Sequence, residues 1–400
     1  MKNIYIIDES RSSLKNGIGT FLQEFLFCVE RMDTNICLVS FNSEQSEFSI
    51  EEGDKISEMR FPVFPSGNFM THPEVAIRFF RLYIKDSSNN VFLINYSPCI
   101  AFLQLIREFF PLSKIMYIIH DLSWTSVCLG DKKEWKASIK VSGDDVSEKE
   151  RWLINAFEEE KKMCNMVDIV VCLSLSTFNV LKEIYKIDEK LIRLIPNGLR
   201  KKNMKFLDKD CLRRSVNIDK AEKVLLFVGR TTKVKGFSAL IEAFRLVLKK
   251  VPNARLIIAG AIVDLTSYGD VSSRITYLGH IESEHLRKWY RISDIGVISS
   301  YSEQCSYAGI EMMQAGLPIV SSDGFGVVDM FHDGINAKVA SIGNRKTDKE
   351  YIQNMAKAVL DLIESEILCA KLKITERELA SSIYGIRRMK KNYQKLIDGI

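Results

Sequence analysis

The sequence predicts an α/β chain of two Rossmann-like domains, each a doubly wound parallel sheet, facing each other. Three observations carry that expectation. Short apolar runs alternate with amphipathic helical segments, and runs that are apolar throughout suit parallel strands buried on both faces. The alternation occurs twice at similar length, separated by a polar, basic stretch at 200–222. The chain's 400 residues also exceed what one hydrophobic core usually serves.

The first series opens with the strand NIYIIDES (3–10), followed by helical periodicity from Ile18 to Arg31. ICLVSF (36–41), VFLINY (91–96), KIMYIIHD (114–121) and DIVVCLS (168–174) are further strands. Ser176 or Thr177 caps the helix FNVLKEIY, and LIRLIPNG (191–198) closes this half. RKKNMKFLDKDCLRRSVNIDKAE (200–222) suits a linker. The second series is cleaner: strand VLLFVGR (224–230), helix 236–251 with Phe237, Leu240, Ile241, Phe244, Val247 and Leu248 on one face, then strands RLIIAG (255–260) and ITYL (275–278). Helix EHLRKWYRIS (284–293), strand DIGVISS (294–300), helix YAGIEMMQAG and strand LPIVSS (317–322) follow. The tail from Ser381 is a terminal helix expected to pack back on the first domain. The expected domains are therefore 1–200 joined by 381–400, and 201–380.

Composition narrows the function. Hydrophobic content of 46% with 27% charged residues describes an ordinary soluble protein, and a dispersed net charge of +5 is too small to imply nucleic-acid binding. The nine cysteines form no CxxC pair and no metal-type spacing with the five histidines, which points to a reducing compartment. MKNIYIIDES has an apolar run of only four residues before Asp8, a buried strand and not a signal peptide. No stretch approaches the roughly 18 apolar residues of a membrane span. A cytoplasmic protein is expected.

In open α/β sheets, ligands bind at the C-terminal ends of strands, where helix N-termini present N–H groups and partial positive charge. DIGVISS and the helix from Tyr307 define such an end, with Ser306 as N-cap and Gly309 placed for close backbone approach by a ligand. Glu303 in the loop and Glu311 just over one turn in would accept hydrogen bonds from sugar hydroxyls; the plain alternative is a loop residue and a solvated helix charge. FVGRTTKVKG (227–236) places Arg230 and Lys235 at a strand-to-helix crossing, where two cations suit a diphosphate, whereas Lys233 reads as surface.

FVGR…KG, then E-x7-E, then GLPIV, resembles the C-terminal domain of the retaining GT-B glycosyltransferases, specifically glycosyltransferase family 4. The resemblance extends over nearly the whole chain through NGIGT (16–20), IIHDLSW (118–124), CLSLSTFNVLKEIY (172–185), IPNG (195–198) and FHDGINA (331–337). It implies the GT-B fold, with Arg230 and Lys235 on the nucleotide diphosphate, Glu311 on the ribose hydroxyls and Glu303 beside the donor sugar. Backbone amides from Ser306 through Tyr307 and Ala308 to Gly309 would contact sugar or phosphate; the family has glycine where Ser306 stands. Gly17 and Gly19 correspond to a loop that approaches the diphosphate and acceptor, and His120 to a histidine that touches the donor sugar. Asn197 and Gly198 lie near the hinge and either shape a turn or touch ligand.

The activity so implied is transfer of a hexosyl unit from a UDP-, GDP- or ADP-sugar to an acceptor hydroxyl with retained configuration, without metal or other cofactor, in glycan, glycolipid or glycopeptide biosynthesis. Asp208-Lys209-Asp210 spells D-x-D, a metal-binding spelling elsewhere, but falls in the charged linker and reads as solvated surface. The segment 125–165 is a long polar insertion followed by a helix in the first domain, and would shape the acceptor side. Polysaccharide or lipid-linked acceptors are the family's usual ones, and SEQCSY leaves a peptide acceptor open. Basic pairs (Lys201-Lys202, Arg213-Arg214, Arg387-Arg388, Lys390-Lys391) are solvated surface or a peripheral contact with the inner face of a membrane. The alternatives are a sugar-nucleotide epimerase or phosphorylase, for which no acid/base pair or cofactor-bearing lysine is visible, and a non-catalytic sugar-nucleotide-binding subunit.

Overall fold

The computed structural model describes residues 1–8, 16–63, 72–95, 99–143, 145–201, 208–260, 268–345 and 347–400. They fall into two units: Met1–Trp124 with Glu134–Gly198 and Ile386–Ile400, and Thr125–Lys133 with Leu199–Gly385. Residues 9–10 and Tyr96 of two expected strands, and 202–207 of the expected linker, including Lys202, lie outside the described residues.

The first unit runs β1 (Lys2–Asp8), α1 (Gly17–Val29), β2 (Thr34–Ser43), β3 (Ser49–Glu51), β4 (Ile56–Pro62), α2 (Pro73–Tyr83), β5 (Asn90–Ile94), α3 (Ile100–Phe109) and β6 (Lys114–Ile119). Then come α4 (Ser123–Val127), α5 (Lys132–Ser138), α6 (Glu148–Met166), β7 (Ile169–Cys172), α7 (Leu175–Glu183) and β8 (Ile192–Leu194). Its eight-stranded sheet has the order β3-β4-β2-β1-β5-β6-β7-β8. Every pairing is parallel except the β3–β4 edge hairpin. All residues of β5 and β7 are buried, as parallel strands covered on both faces require.

The second unit contains α8 (Lys209–Arg214), β9 (Lys223–Val228), α9 (Phe237–Lys250), β10 (Ala254–Ala259), β11 (Ile275–Gly279), α10 (Ser283–Ile292), β12 (Ile295–Ile298) and α11 (Tyr307–Ala315). β13 (Ile319–Ser322), β14 (Lys338–Ala340), α12 (Lys349–Glu364) and α13 (Glu366–Ser382) complete it, and α14 (Ile386–Asp398) returns to the first unit. The sheet is wholly parallel, in the order β11-β10-β9-β12-β13-β14. That is the doubly wound order of dinucleotide-binding sheets, whose direction of winding reverses between β9 and β12. The apolar stripe of α9 supplies Phe237, Leu240, Ile241, Phe244 and Val247 to a core shared with Leu256, Ile258, Tyr351 and Val359.

Several expectations are corrected. The cap of α7 is Ser174, in extended conformation with its side chain accepting from the Thr177 amide, and not Ser176 or Thr177. The charged stretch after 200 is no bare linker. Within it α8 is tied down by Arg213, 3% exposed, which donates to the carbonyls of Ile292, Lys220 and Glu222 and to Asp294. In the D-x-D spelling, Asp208 caps α8 and Lys209 pairs with Asp294 at 2.7 Å. The helix expected at the end of the polar segment 125–165 is α6, and the part before it is also helical, as α4 and α5, with the Trp135 ring fully buried and stacked on Trp124 with centroids 4.5 Å apart. Part of it, Thr125–Lys133, groups with the second unit, where Arg345 donates to the Leu129 carbonyl. The terminal helix begins at Ile386 rather than Ser381, because α13 runs to Ser382, and it packs on α1 of the first unit as expected.

Candidate functional site

In the second unit the two strands flanking the reversal, β9 and β12, end in loops that are bonded together. Tyr301 N donates to the Val234 carbonyl at 2.8 Å, and Ser299 Oγ donates to the Lys235 carbonyl at 2.8 Å. Gly236 makes this approach possible. Its φ is +66°, and a Cβ there would lie 1.9 Å from the Ser299 carbonyl oxygen.

That stitching places Lys235 against Glu303. The ammonium lies 2.5 Å from Oε1, and Ser300 Oγ donates to the same oxygen at 2.8 Å. The two side chains are 20% and 14% exposed, so they remain reachable from solvent while water screens them only in part. Glu303 is itself anchored, its amide donating to the Phe325 carbonyl at 3.0 Å. Arg230 follows β9 as an exposed residue with no ion pair among the described residues.

α11 begins where the sequence places it. Ser306 is the N-cap, its Oγ accepting from the Gly309 amide, and Tyr307, Ala308 and Gly309 form the first turn. A Cβ at Gly309 would meet the Phe331 ring at 2.7 Å, so the glycine also makes room for a packed aromatic side chain. Glu311 faces α10. Its Oε2 accepts from Tyr290 Oη at 2.6 Å and its Oε1 from Ser283 Oγ at 3.2 Å.

In the first unit the winding reverses between β1 and β5, and a polar cluster stands there too. Asn95, just past β5, donates from Nδ2 to Asp8 Oδ1 at 3.2 Å, and its Oδ1 accepts from His120 Nε2 at 2.9 Å. Asp8 and Asn95 are buried. Burial pushes the His120 pKa down to about 3, so the imidazole is neutral, with Nε2–H donating. Phe21 of α1 meets the ring edge-on at 4.8 Å. Gly17 opens α1 and Gly19 is buried within it; the Asn16 side chain caps the helix by accepting from the amides of Ile18 and Gly19. Asn197 is buried in the irregular segment after β8, just before the chain passes from the first unit to the second after Gly198.

The loop carrying His120 has a further anchor. Glu160 of α6, 9% exposed, accepts from Ser123 N at 2.7 Å, Ser123 Oγ at 2.5 Å and Tyr185 Oη at 2.5 Å. Burial raises its pKa above the usual carboxylate value against the opposing pull of these donors. Asp8, Asn95, Glu160 and Tyr290 were all missed in the sequence. A polar residue closing an apolar strand, as in Ile-Asp and Ile-Asn, was the available signal for the first two.

The structure thus joins Lys235, Glu303 and the start of α11 in one unit, and His120 with the start of α1 in the other. A groove of about 740 Å³ flanked by α9 and α12 is a poorer candidate, because its Arg245 is already bonded to Glu242 and Asp270. Among the described residues no group of three or more His, Cys, Asp or Glu could hold a metal ion, and no helix is long and apolar enough to cross a membrane.

Solved structures share this architecture over the whole chain. Sucrose-phosphate synthase from Thermosynechococcus elongatus superposes with a TM-score of 0.78 at 16% identity, covering 100% of this chain and 99% of that one. Anabaena HepE in complex with UDP-glucose gives 0.70 at 15% identity, covering both chains fully. Two parallel-sheet α/β units of these strand orders make the fold GT-B. Within it, residues 208–379 match the family model for Glycosyl transferases group 1. An uncharacterized glycosyltransferase of Methanocaldococcus jannaschii is 31% identical over 177 residues, 42% of this chain and 45% of that protein. The chain therefore matches about half the length of this curated relative.

Proposed function

We propose that the protein is a glycosyltransferase that moves a hexosyl unit from a nucleotide-diphosphate sugar to an acceptor hydroxyl, with retained anomeric configuration and without a metal. The observation that carries this reading is the Lys235–Glu303 pair, 2.5 Å apart at the reversal between β9 and β12 and beside the start of α11. A cation and a helix N-terminus at strand ends suit a diphosphate, and a carboxylate beside them suits sugar hydroxyls. The match of residues 208–379 to the group 1 family supports it, as does the UDP-glucose held by the structurally similar HepE.

In this reading Lys235 and Arg230 stabilise the negative charge that grows on the leaving diphosphate as the C1–O bond breaks. Glu303 accepts from a sugar hydroxyl and orients the donor. His120, neutral and fixed through Nε2 by Asn95, offers Nδ1 to the sugar. The acceptor oxygen forms the new bond to C1 on the face the diphosphate leaves, and a phosphate oxygen takes the acceptor proton.

Incubation with UDP-, GDP- and ADP-hexoses, following release of nucleoside diphosphate, tests the activity. One donor should turn over, unaffected by EDTA, with the α or β configuration of the donor kept in the product by NMR. Glu303→Gln should abolish turnover while preserving the fold. Full activity in that variant would refute the assignment, and an inverted product would refute retention.

A further inference from the structure

Thr125–Lys133 interrupts the first unit in sequence but belongs to the second. At its tip the backbone reverses sharply. Leu129 and Gly130 have left-handed φ values of +47° and +69°, and the Gly130 amide donates back to the Thr125 carbonyl at 2.7 Å. Such a backbone is unfavourable for leucine, so its surroundings must hold it. They do so twice: the Leu129 side chain packs on the apolar core of the second unit, and its carbonyl accepts from the Arg345 guanidinium. The reversal rests on Tyr301, which is 2% exposed. A Cβ at Gly130 would lie 2.4 Å from the Tyr301 carbonyl oxygen, which puts the two backbones in direct contact.

The support of Glu303 converges on Tyr301. The Tyr301 carbonyl accepts from the Phe325 amide at 3.0 Å, and the Phe325 carbonyl accepts from the Glu303 amide at 3.0 Å. The Tyr301 phenol donates to Asp348 at the N-cap of α12. Lys235 has its own anchor, the Ser299 hydroxyl on its carbonyl. We propose that the Leu129–Gly130 reversal, pinned by Arg345, is a positioning element that fixes Tyr301 and through it the carboxylate of Glu303. Part of the segment expected to shape the acceptor side thereby serves the donor side. The inference rests on the sugar-nucleotide reading above. Gly130 and Arg345 act through Tyr301 and Phe325, and neither touches substrate. A misplacement of about 1 Å at a group that orients substrate can cost about 10²-fold in rate, so even a small shift of this support is measurable.

The test uses variants of the full chain. Arg345→Met removes the pin, and Gly130→Ala forces a methyl group against the Tyr301 carbonyl. In amide NMR spectra the signals of Tyr301, Phe325 and Glu303 should move in both, while those of β10 stay in place. With the donor that turns over, kcat should fall about tenfold in Arg345→Met and further in Gly130→Ala. Affinity for the nucleoside diphosphate, which has no sugar for Glu303 to orient, should stay at the wild-type value by calorimetry. Arg345→Lys keeps a donor for the Leu129 carbonyl and should restore most of the lost kcat. Should Gly130→Ala fail to fold, the two Arg345 variants decide the matter. Unmoved signals at Phe325 and Glu303, an unchanged kcat, or a kcat loss matched by an equal loss of diphosphate affinity overturns the positioning role and leaves the parent reading standing. A wild type that turns over none of the UDP-, GDP- or ADP-hexoses overturns both.

Discussion

Both units bring polar residues to the point where their sheets reverse, yet the two clusters are opposite in kind. In the first unit the buried Asp8 and Asn95 orient a half-buried His120 through hydrogen bonds, and desolvation keeps the imidazole neutral. In the second, Lys235 and Glu303 form an ion pair reachable from solvent. The first arrangement fixes orientation and resists a change of charge, whereas an accessible pair can exchange partners with an ionic ligand. The same topology therefore carries a neutral hydrogen-bonded cluster in one unit and a charged pair in the other.

The largest test of that contrast removes the cation. Lys235→Ala should lower turnover with the active donor by about 10²–10³-fold, the typical loss for one preorganised electrostatic contact, measured as nucleoside diphosphate release. A comparable loss from Lys233→Ala would show that general positive charge, not the pair, matters. Next, Glu160→Ala leaves the Ser123 and Tyr185 donors without their acceptor and should destabilise the protein by about 3 kcal/mol in urea unfolding. An unchanged midpoint would mean that water replaces the carboxylate.

Acid stability separates the clusters further. His120 titrates near 3 in the folded protein and near 6.5 when unfolded, so the unfolded state binds the proton first. Stability should therefore fall as the pH drops from about 6.5 towards 3, by roughly 2 kcal/mol from this residue after allowance for partial solvent access. His120→Gln should flatten that part of the profile; an unaltered slope would place the acid sensitivity elsewhere. The smallest effects concern the caps. Asn16→Ala and Ser306→Ala should each cost about 1 kcal/mol by thermal melting. If Ser306→Ala also weakens nucleotide binding while Asn16→Ala does not, the contrast between the two helix starts sharpens.

The second unit was the more legible in the sequence because its signals are local. Apolar runs mark β9, β10, β12 and β13, the α9 stripe repeats at helical spacing, and Lys235, Ser306 and Glu303 each stand beside the turn that positions them, whereas β14, α12 and α13 are not read from the sequence. The first unit hid what depends on distant partners. Asp8, Asn95 and His120 come from three strands, and only the order β1-β5-β6 makes them neighbours. β4 alternates polar and apolar residues as an outer strand does, and β3 has only three residues, so neither stood out. Ser174, Ser176 and Thr177 are equal as cap candidates by type; extended backbone at Ser174 settles the choice. Arg213 read as solvated charge because its acceptors at Ile292 and Asp294 lie some 80 positions away.

The hydrogen atom at Cα of Gly236 governs how closely the ends of β9 and β12 approach. Even a methyl group would wedge the backbone at 236 away from Ser299, and Lys235, the very next residue, would swing with it. The reach of the ammonium to Glu303 is thus calibrated by a position that carries no functional group, and Gly236→Ala should behave as a lesion of charge placement in a protein whose charges are all intact.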